Sequence, residues 1–180
     1  MKKYVEAFCL ILLICFMYSC ASRPVGTLVD WKYEKEAIKL NLKADGQLNL
    51  YEGTPHPLTL CVYQLTDPNA FNQLAKDPDQ LDTLLECDRF KGGGVAGFER
   101  LIVHPGQNST FTLSRAEGAK YVAVVAGYYL YPEGGVVRPF EIPVIIEKTG
   151  FLKLKRVSKP GHVNIDLILG SKQIQSSEEK

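Results

Sequence analysis

Alternating apolar and polar residues mark most of the chain after its first thirty or so positions. The clearest run covers residues 37–44, where apolar residues occupy every second position. Similar short runs cover 58–65, 98–103, 109–113 and 162–169. A period of two is typical of strands with one buried face. Turn residues separate the runs, so the pattern predicts a mainly β protein, a two-sheet β-sandwich of about eight strands.

The most apolar segment outside the N-terminus is residues 121–131, which carry no charge. Such a run is typical of a central strand buried on both faces. Its tyrosines, Tyr128, Tyr129 and Tyr131, could instead stack a sugar ring, but the pattern favours a strand core. The following run, 136–147, contains two prolines that cannot donate ladder hydrogen bonds, so we expect an edge strand.

A helical insert is predicted at 69–88, inside a sandwich domain of residues 37–170. Asp77, Pro78 and Gln80 form a helix-start pattern, with aspartate as the N-cap and proline in the first position. Leucines at helical spacing follow. The aspartates of this segment favour a helix N-terminus, which explains them without a calcium site.

The first 19 residues predict a signal peptide, because two lysines precede a short apolar run that ends in a small residue. The run is too short for a stable membrane-spanning helix. Cys20 follows Ser19, which resembles the lipobox of bacterial lipoproteins. That resemblance makes Cys20 the lipidated first residue of the mature chain, and we expect residues 20–36 to form a tether. Residues 171–180 are mostly polar, which predicts a flexible tail. The alternative is an ordinary cleaved signal peptide in which Cys20 is incidental.

Charge and cysteine content narrow the classes of partner. Lys and Arg number 21 and Asp and Glu 20, a balance that argues against nucleic acid and against electrostatic binding to a membrane. Any membrane attachment would come from acyl chains on Cys20. Of the five cysteines, Cys61 and Cys87 lie beyond both the signal peptide and the lipidation candidate Cys20. A pair in an exported domain suggests a disulfide, although two buried thiols are the alternative.

The loop at 45–57 is unusual because Leu48, Leu50 and Tyr51 lie among turn residues. Loops run over the surface, so these side chains require an explanation. They either fold back over the end of the sandwich or form an exposed docking patch. The sequence leaves both interpretations open.

Residues that could carry chemistry are scattered. The histidines, His56, His104 and His162, lack metal-ligand spacing, and no nucleophile elbow is present. The glycine-rich stretch 91–97 lacks the Gly-Lys-Ser/Thr ending of a phosphate loop. We therefore expect no catalytic residue, no metal and no cofactor.

Several short features together resemble the type VI secretion lipoprotein family TssJ. The resemblance covers most of the chain after the tether and depends on residues of the 45–57 loop, the helical insert, a later turn and the buried strand: Leu48-Asn49, Gly53, Pro57, Phe71-Asn72, Pro105-Gly106, Ala126 and Tyr128. Leu50 and Tyr129 depart from the family pattern, in which proline and a basic residue are common.

The resemblance implies a transthyretin-like sandwich, anchored to the periplasmic face of the outer membrane by acyl chains such as palmitate on Cys20. It also implies binding to the periplasmic domain of TssM, and through it to TssL. The contact would use the loop residues Leu48, Asn49, Leu50, Tyr51 and Glu52. No small-molecule substrate is implied. The alternatives are a lipid-anchored, carbohydrate-binding sandwich and a transthyretin-fold hydrolase, which needs His and Arg clustered at one end.

Overall fold

The computed structural model describes residues 28–130, 135–149 and 155–179. The predicted signal peptide, Cys20, the start of the tether and Tyr131 lie outside these ranges. Within them, no helix is long and apolar enough to cross a membrane.

The described residues form ten strands and two short helices. The strands are β1 Glu34–Ala44, β2 Leu58–Leu65, β3 Val95–Val103, β4 Asn108–Arg115, β5 Tyr121–Gly127, β6 Val137–Glu141, β7 Val144–Thr149, β8 Lys155–Pro160, β9 Val163–Leu169 and β10 Ile174–Glu179. The helices are α1 Asn69–Lys76 and α2 Leu81–Leu85, joined by a 3₁₀ turn at Pro78–Gln80.

Two four-stranded sheets pack face to face, in the orders β10-β9-β1-β4 and β3-β2-β5-β6. Strand β1 runs parallel to β9 and antiparallel to β4. The alternating leucines and isoleucine of β1 point into the shared core, and β5 is buried from Val122 to Ala126. The predicted fold class, a mainly β sandwich with a small helical insert and a central β5, is confirmed.

The helical insert covers the second sheet. Tyr63 on β2 donates a hydrogen bond from its hydroxyl to the carbonyl oxygen of Leu84, at 2.8 Å. Burial raises the pKa of Tyr63 to about 12. A disulfide joins Cys61 on β2 to Cys87 after α2, with the Cα atoms 5.1 Å apart. Asp77 is the N-cap of the 3₁₀ turn, as predicted, and its side chain accepts a hydrogen bond from the backbone N–H of Asp79. The insert is thus attached to the sheet covalently and by packing.

Three predicted boundaries were wrong. The expected flexible tail at 171–180 contains β10, which pairs with β9 and buries Ile174 in the core. The tether extends less far than predicted, because β1 begins at Glu34 and Trp31 already packs against the core. The run 136–147 is two strands, because the chain leaves the sheet at Pro143. Its first part, β6, is an edge strand as predicted.

The sandwich has two ends, which the direction of β1 defines. The tether end holds Glu34, where β1 begins, and the loop end holds the 45–57 loop, where β1 has finished. The Glu34–Ile38 part of β1 is bulged and covers only two residue steps of β4, so at about 3.3 Å per step these ends lie roughly 26 Å apart.

Candidate binding surface

The 45–57 loop is held to the sandwich by its backbone. The backbone N–H of Asp45 donates a hydrogen bond to the carbonyl oxygen of Leu169 at 2.8 Å. The backbone N–H of Leu50 donates one to the carbonyl oxygen of Ser171, also at 2.8 Å. Within the loop, the N–H of His56 donates to the carbonyl of Leu48 at 3.0 Å. These bonds tie the loop to the end of β9 and give it a defined shape.

Leu48 and Asn49, two of the predicted contact residues, point inward. Leu48 is fully buried in the core and Asn49 is 2% exposed. The Asn49 side-chain amide donates to the carbonyl of Pro57 at 3.0 Å, and its oxygen accepts from the Tyr129 N–H at 2.8 Å. Asn49 also adopts a φ of 49°, a left-handed conformation that asparagine tolerates better than most residues. In the described structure both side chains therefore support the loop and are not exposed to a partner.

Tyr51 and Glu52 lie at the tip of the loop, where a tight hairpin turn exposes them. Tyr51 and Thr54 exchange backbone hydrogen bonds of 2.9 and 3.0 Å. The two residues between them, Glu52 and Gly53, have φ values of 49° and 77°. Positive φ at both central positions is the signature of a type I′ turn, which favours glycine. The tip therefore presents its side chains in a fixed orientation.

An aromatic cluster forms where the loop tip meets the chain that follows β5. The Tyr51 and Tyr129 rings stack with centroids 5.1 Å apart, and the His56 ring meets Tyr129 edge-on at 5.2 Å. These three residues, with Glu52 and Thr54, line an open depression of about 350 Å³. We use "aromatic surface" for Leu50, Tyr51, Glu52, Thr54, His56, Tyr129 and Leu130.

Sequence reasoning missed Tyr129 and Leu130 as surface residues. They are 59% and 54% exposed, whereas the preceding Tyr128 is buried. The charge-free run predicted one continuous buried strand, but β5 ends at Gly127. That glycine packs closely against Leu85 of α2, where an added Cβ would lie 3.3 Å from a methyl carbon. The glycine was the signal that the strand ends early.

At the tether end, Arg115 and His162 converge on Glu34. The carboxylate lies 2.8 Å from Arg115 Nη2 and 2.9 Å from His162 Nε2. The hydrogen bond from His162, together with the Arg115 charge, lowers the pKa of Glu34. Arg115 is 2% exposed and also donates to the carbonyls of Lys32 and Gly161, at 3.1 and 3.3 Å.

This convergence is a structural latch. The Arg115 guanidinium and the His162 ring are both engaged by the Glu34 carboxylate, and Arg115 also by main-chain oxygens, so they fasten the segment after the tether to β4 and β9. A transthyretin-fold hydrolase requires His and Arg together at a substrate pocket. Here His162 lines an open depression of about 300 Å³, whereas Arg115 is buried and is not part of its lining. Among the described residues, no group of His, Cys, Asp and Glu is arranged to hold a metal ion.

Solved structures of type VI secretion lipoproteins share this fold. The chain is 19% identical to Serratia marcescens Lip, a membrane-bound component of the type VI secretion system, with a TM-score of 0.57 over 77% of this chain and 94% of that one. It is 18% identical to TssJ1 from Pseudomonas aeruginosa, with a TM-score of 0.56 over 83% and 96%. A chain in the structure described as the TssM C-terminal domain (869-1107) from EAEC matches at 16% identity, with a TM-score of 0.55 over 77% and 94%.

Fold and sequence together define a lipoprotein of a secretion system. The family model described as type VI secretion lipoprotein, VasD, EvfM, TssJ matches residues 36–154. The chain belongs to this family, whose members are secretion lipoproteins rather than a class of enzymes. No curated relative matches the chain in sequence.

Proposed function

We propose that the chain is anchored by acyl groups on Cys20 to the periplasmic face of the outer membrane. From there it binds the periplasmic domain of TssM through the aromatic surface. TssM in turn contacts TssL, so the lipoprotein links the outer membrane to an inner-membrane assembly. It performs no catalysis. Its role is to hold one partner at a fixed distance from a lipid layer.

The observation that carries the proposal is the position of the aromatic surface. It lies at the loop end, roughly 26 Å along β1 from the tether end. A lipid on Cys20 would attach the chain at the tether end, because 13 residues lie between Cys20 and Glu34 and Trp31 already packs against the core. The aromatic surface then faces away from the membrane, toward a partner that extends from the other side of the periplasm.

The composition of this surface also fits a protein partner. Tyr51 and Tyr129 supply large rings that lose little conformational freedom on binding, and Leu130 adds an exposed apolar side chain. Glu52 and Thr54 form a polar rim. An apolar centre with a polar rim is the usual anatomy of a protein interface.

Calorimetry with the purified periplasmic domain of TssM tests the proposal. The double variant Tyr51→Ser and Tyr129→Ser should bind about 100-fold more weakly, since two central aromatic contacts of about 1.4 kcal/mol each are lost. The matched control is Tyr33→Ser, because Tyr33 is 62% exposed but lies at the tether end. The control should bind like the wild type.

Equal binding by the double variant would contradict the assignment of the aromatic surface. An equal loss of TssM affinity in the Tyr33→Ser control would contradict the same assignment. Circular dichroism and a urea unfolding curve should show that the variants keep the wild-type fold, because the substituted side chains are exposed.

One observation favours a second candidate, carbohydrate binding. The open depression of about 350 Å³ is lined by the Tyr51, His56 and Tyr129 rings, and aromatic rings are suited to stacking on sugars. Calorimetric titration with soluble peptidoglycan fragments distinguishes carbohydrate binding from TssM binding. Saturable heat that is lost with Tyr129→Ser would favour carbohydrate binding, and the TssM proposal expects none.

A further inference from the structure

The short helix α2 is fastened to the second sheet on both sides of Leu85. Directly before Leu85, the carbonyl oxygen of Leu84 accepts the hydrogen bond from the Tyr63 hydroxyl at 2.8 Å. Two residues after it, Cys87 is bonded to Cys61 of β2 through the disulfide. Leu84 and both cysteines are buried. The position of the Leu85 side chain on the sheet is therefore fixed from two directions.

Leu85 lies against the point at which β5 ends. A Cβ atom placed on Gly127 would be 3.3 Å from a methyl carbon of Leu85 and 3.4 Å from the carbonyl oxygen of Thr59. Glycine therefore lets α2 approach the strand backbone closely. The chain turns directly afterwards, where the N–H of Tyr128 donates to the carbonyl oxygen of Ala126 at 3.1 Å. The insert thus forms one wall of the turn that leads from β5 to the aromatic surface.

The turn that α2 supports carries Tyr129, the ring that joins the aromatic surface together. Its N–H donates to the side-chain oxygen of Asn49 at 2.8 Å. Its ring contacts the rings of Tyr51 and His56, at centroid distances of 5.1 and 5.2 Å. The Tyr129 backbone is therefore held between the insert, through Gly127, and the loop, through Asn49. If the insert loosens, the ring must be ordered again when a partner binds, which costs affinity.

The disulfide is the one fastening of α2 whose formation is a redox reaction. Cys61 and Cys87 start as thiols and exchange with the disulfide of an oxidant. One thiolate attacks the oxidant and forms a mixed disulfide, and the second thiolate then displaces the oxidant, which leaves as two thiols that carry both protons. Because the finished bridge is buried, it resists exchange in the folded chain. Its state is therefore fixed when the chain folds.

We propose that the helical insert positions the aromatic surface, and that formation of the Cys61–Cys87 bridge sets the affinity of this surface for its protein partner. The oxidised chain presents Tyr129 already ordered, and the reduced chain presents it with a loosened support. Leu85 is a positioning residue, because it acts on the partner through Gly127 and Tyr129. The inference rests on the proposed function, but it makes a separate prediction for the free chain.

Amide hydrogen exchange measured by NMR tests the positioning in the full chain without any partner. In Leu85→Ala, the Tyr129 amide should exchange about tenfold faster, because its turn opens locally more often. The Asp45 amide, which donates to Leu169 of the other sheet, should keep its wild-type rate. The matched control is Leu74→Ala, which removes the same atoms from α1, where the side chain is also partly buried against the core. It should leave both rates unchanged.

Calorimetry with the TssM periplasmic domain measures the consequence for binding. The chain refolded and titrated in dithiothreitol should bind about tenfold more weakly than the chain refolded and titrated with oxidised glutathione. For the double variant Cys61→Ala and Cys87→Ala, the two conditions should give the same, weaker affinity. Leu85→Ala should also bind about tenfold more weakly, and Leu74→Ala should bind like the wild type. Circular dichroism should show that every chain is folded in the titration buffer.

Three results would overturn the inference: equal affinity of the reduced and oxidised chains, an equal loss in Leu74→Ala and Leu85→Ala, or a wild-type exchange rate of the Tyr129 amide in Leu85→Ala. Gly127→Ala crowds the same contact from the other side and should have the same effects, so it tests the inference even if Leu85→Ala unfolds the insert. A wild-type chain that does not bind TssM contradicts the proposed function, and the exchange rates still decide whether the insert positions Tyr129.

Discussion

Replacement of Leu48 by alanine distinguishes a supporting residue from a contact residue in the 45–57 loop. Leu48 is fully buried, whereas Tyr51 three residues later is 37% exposed. The substitution removes three carbon atoms, whose transfer from water stabilises the fold by about 0.8 kcal/mol each, or roughly 2.4 kcal/mol in total. The cavity left behind adds to this loss, so we expect the free energy of unfolding to fall by about 3 kcal/mol.

Urea unfolding monitored by circular dichroism measures this change, with Tyr51→Ala as the matched control. The control should lose less than about 1 kcal/mol, since its ring is partly solvated and its neighbours can relax. The loss of affinity for the TssM periplasmic domain should be larger for Tyr51→Ala than for Leu48→Ala, the opposite of the order for stability. Leu48→Ala should bind within about twofold of wild type under conditions where it is folded, because its side chain reaches no partner, and Tyr51→Ala should bind about tenfold more weakly.

A Leu48→Ala variant that loses less than about 1 kcal/mol of stability and binds TssM tenfold or more weakly would contradict a supporting role for Leu48. That result would mean that Leu48 leaves the core on binding and acts as an apolar contact. It would restore the docking role that the sequence pattern left open.

Three further predictions concern the disulfide, the latch and the anchor. The double variant Cys61→Ala and Cys87→Ala should lose about 3.5 kcal/mol in urea unfolding, since the bridge spans 26 residues, and a reductant should destabilise the wild type but not the variant. Because the pKa of Glu34 is lowered, its ionised form stabilises the fold above the ordinary carboxyl pKa, and this contribution is lost as the pH falls through the lowered value. Glu34→Gln should therefore lower the urea midpoint at pH 7 and much less at pH 3, and an equal difference at both pH values would contradict the latch. Mass spectrometry of the mature protein should find acyl chains on Cys20, and an unmodified cysteine would contradict the anchor.

The sequence predicts which strands are half-buried and which are central, because the burial of side chains follows the periodicity of a strand. The alternation of β1 and the continuous apolar run of β5 predict one half-buried and one central strand, and both predictions are confirmed. The paired prolines placed β6 at an edge for a chemical reason, the missing N–H donors. The parallel pairing of β1 with β9 joins distant parts of the chain, and no local pattern specifies it.

The candidate surface was less predictable because exposure in loops depends on tertiary contacts. Leu48 and Tyr51 belong to the same short apolar pattern, yet the hydrogen bonds of Asn49 turn one inward and leave the other at the tip. Tyr129 belongs to an apolar run but lies beyond the end of β5, where the insert packs on Gly127. Among the β10 side chains that the structure describes, Ile174 alone is buried, which is too little for a periodic signal.

The central claim is that the loop end meets TssM while the tether end faces the membrane. Photocrosslinking in cells tests it most directly, with a photoreactive residue at position 129 or 33 of the full-length chain. We expect a crosslink to TssM from position 129 and none from position 33. No crosslink from position 129, or an equal one from position 33, would contradict it.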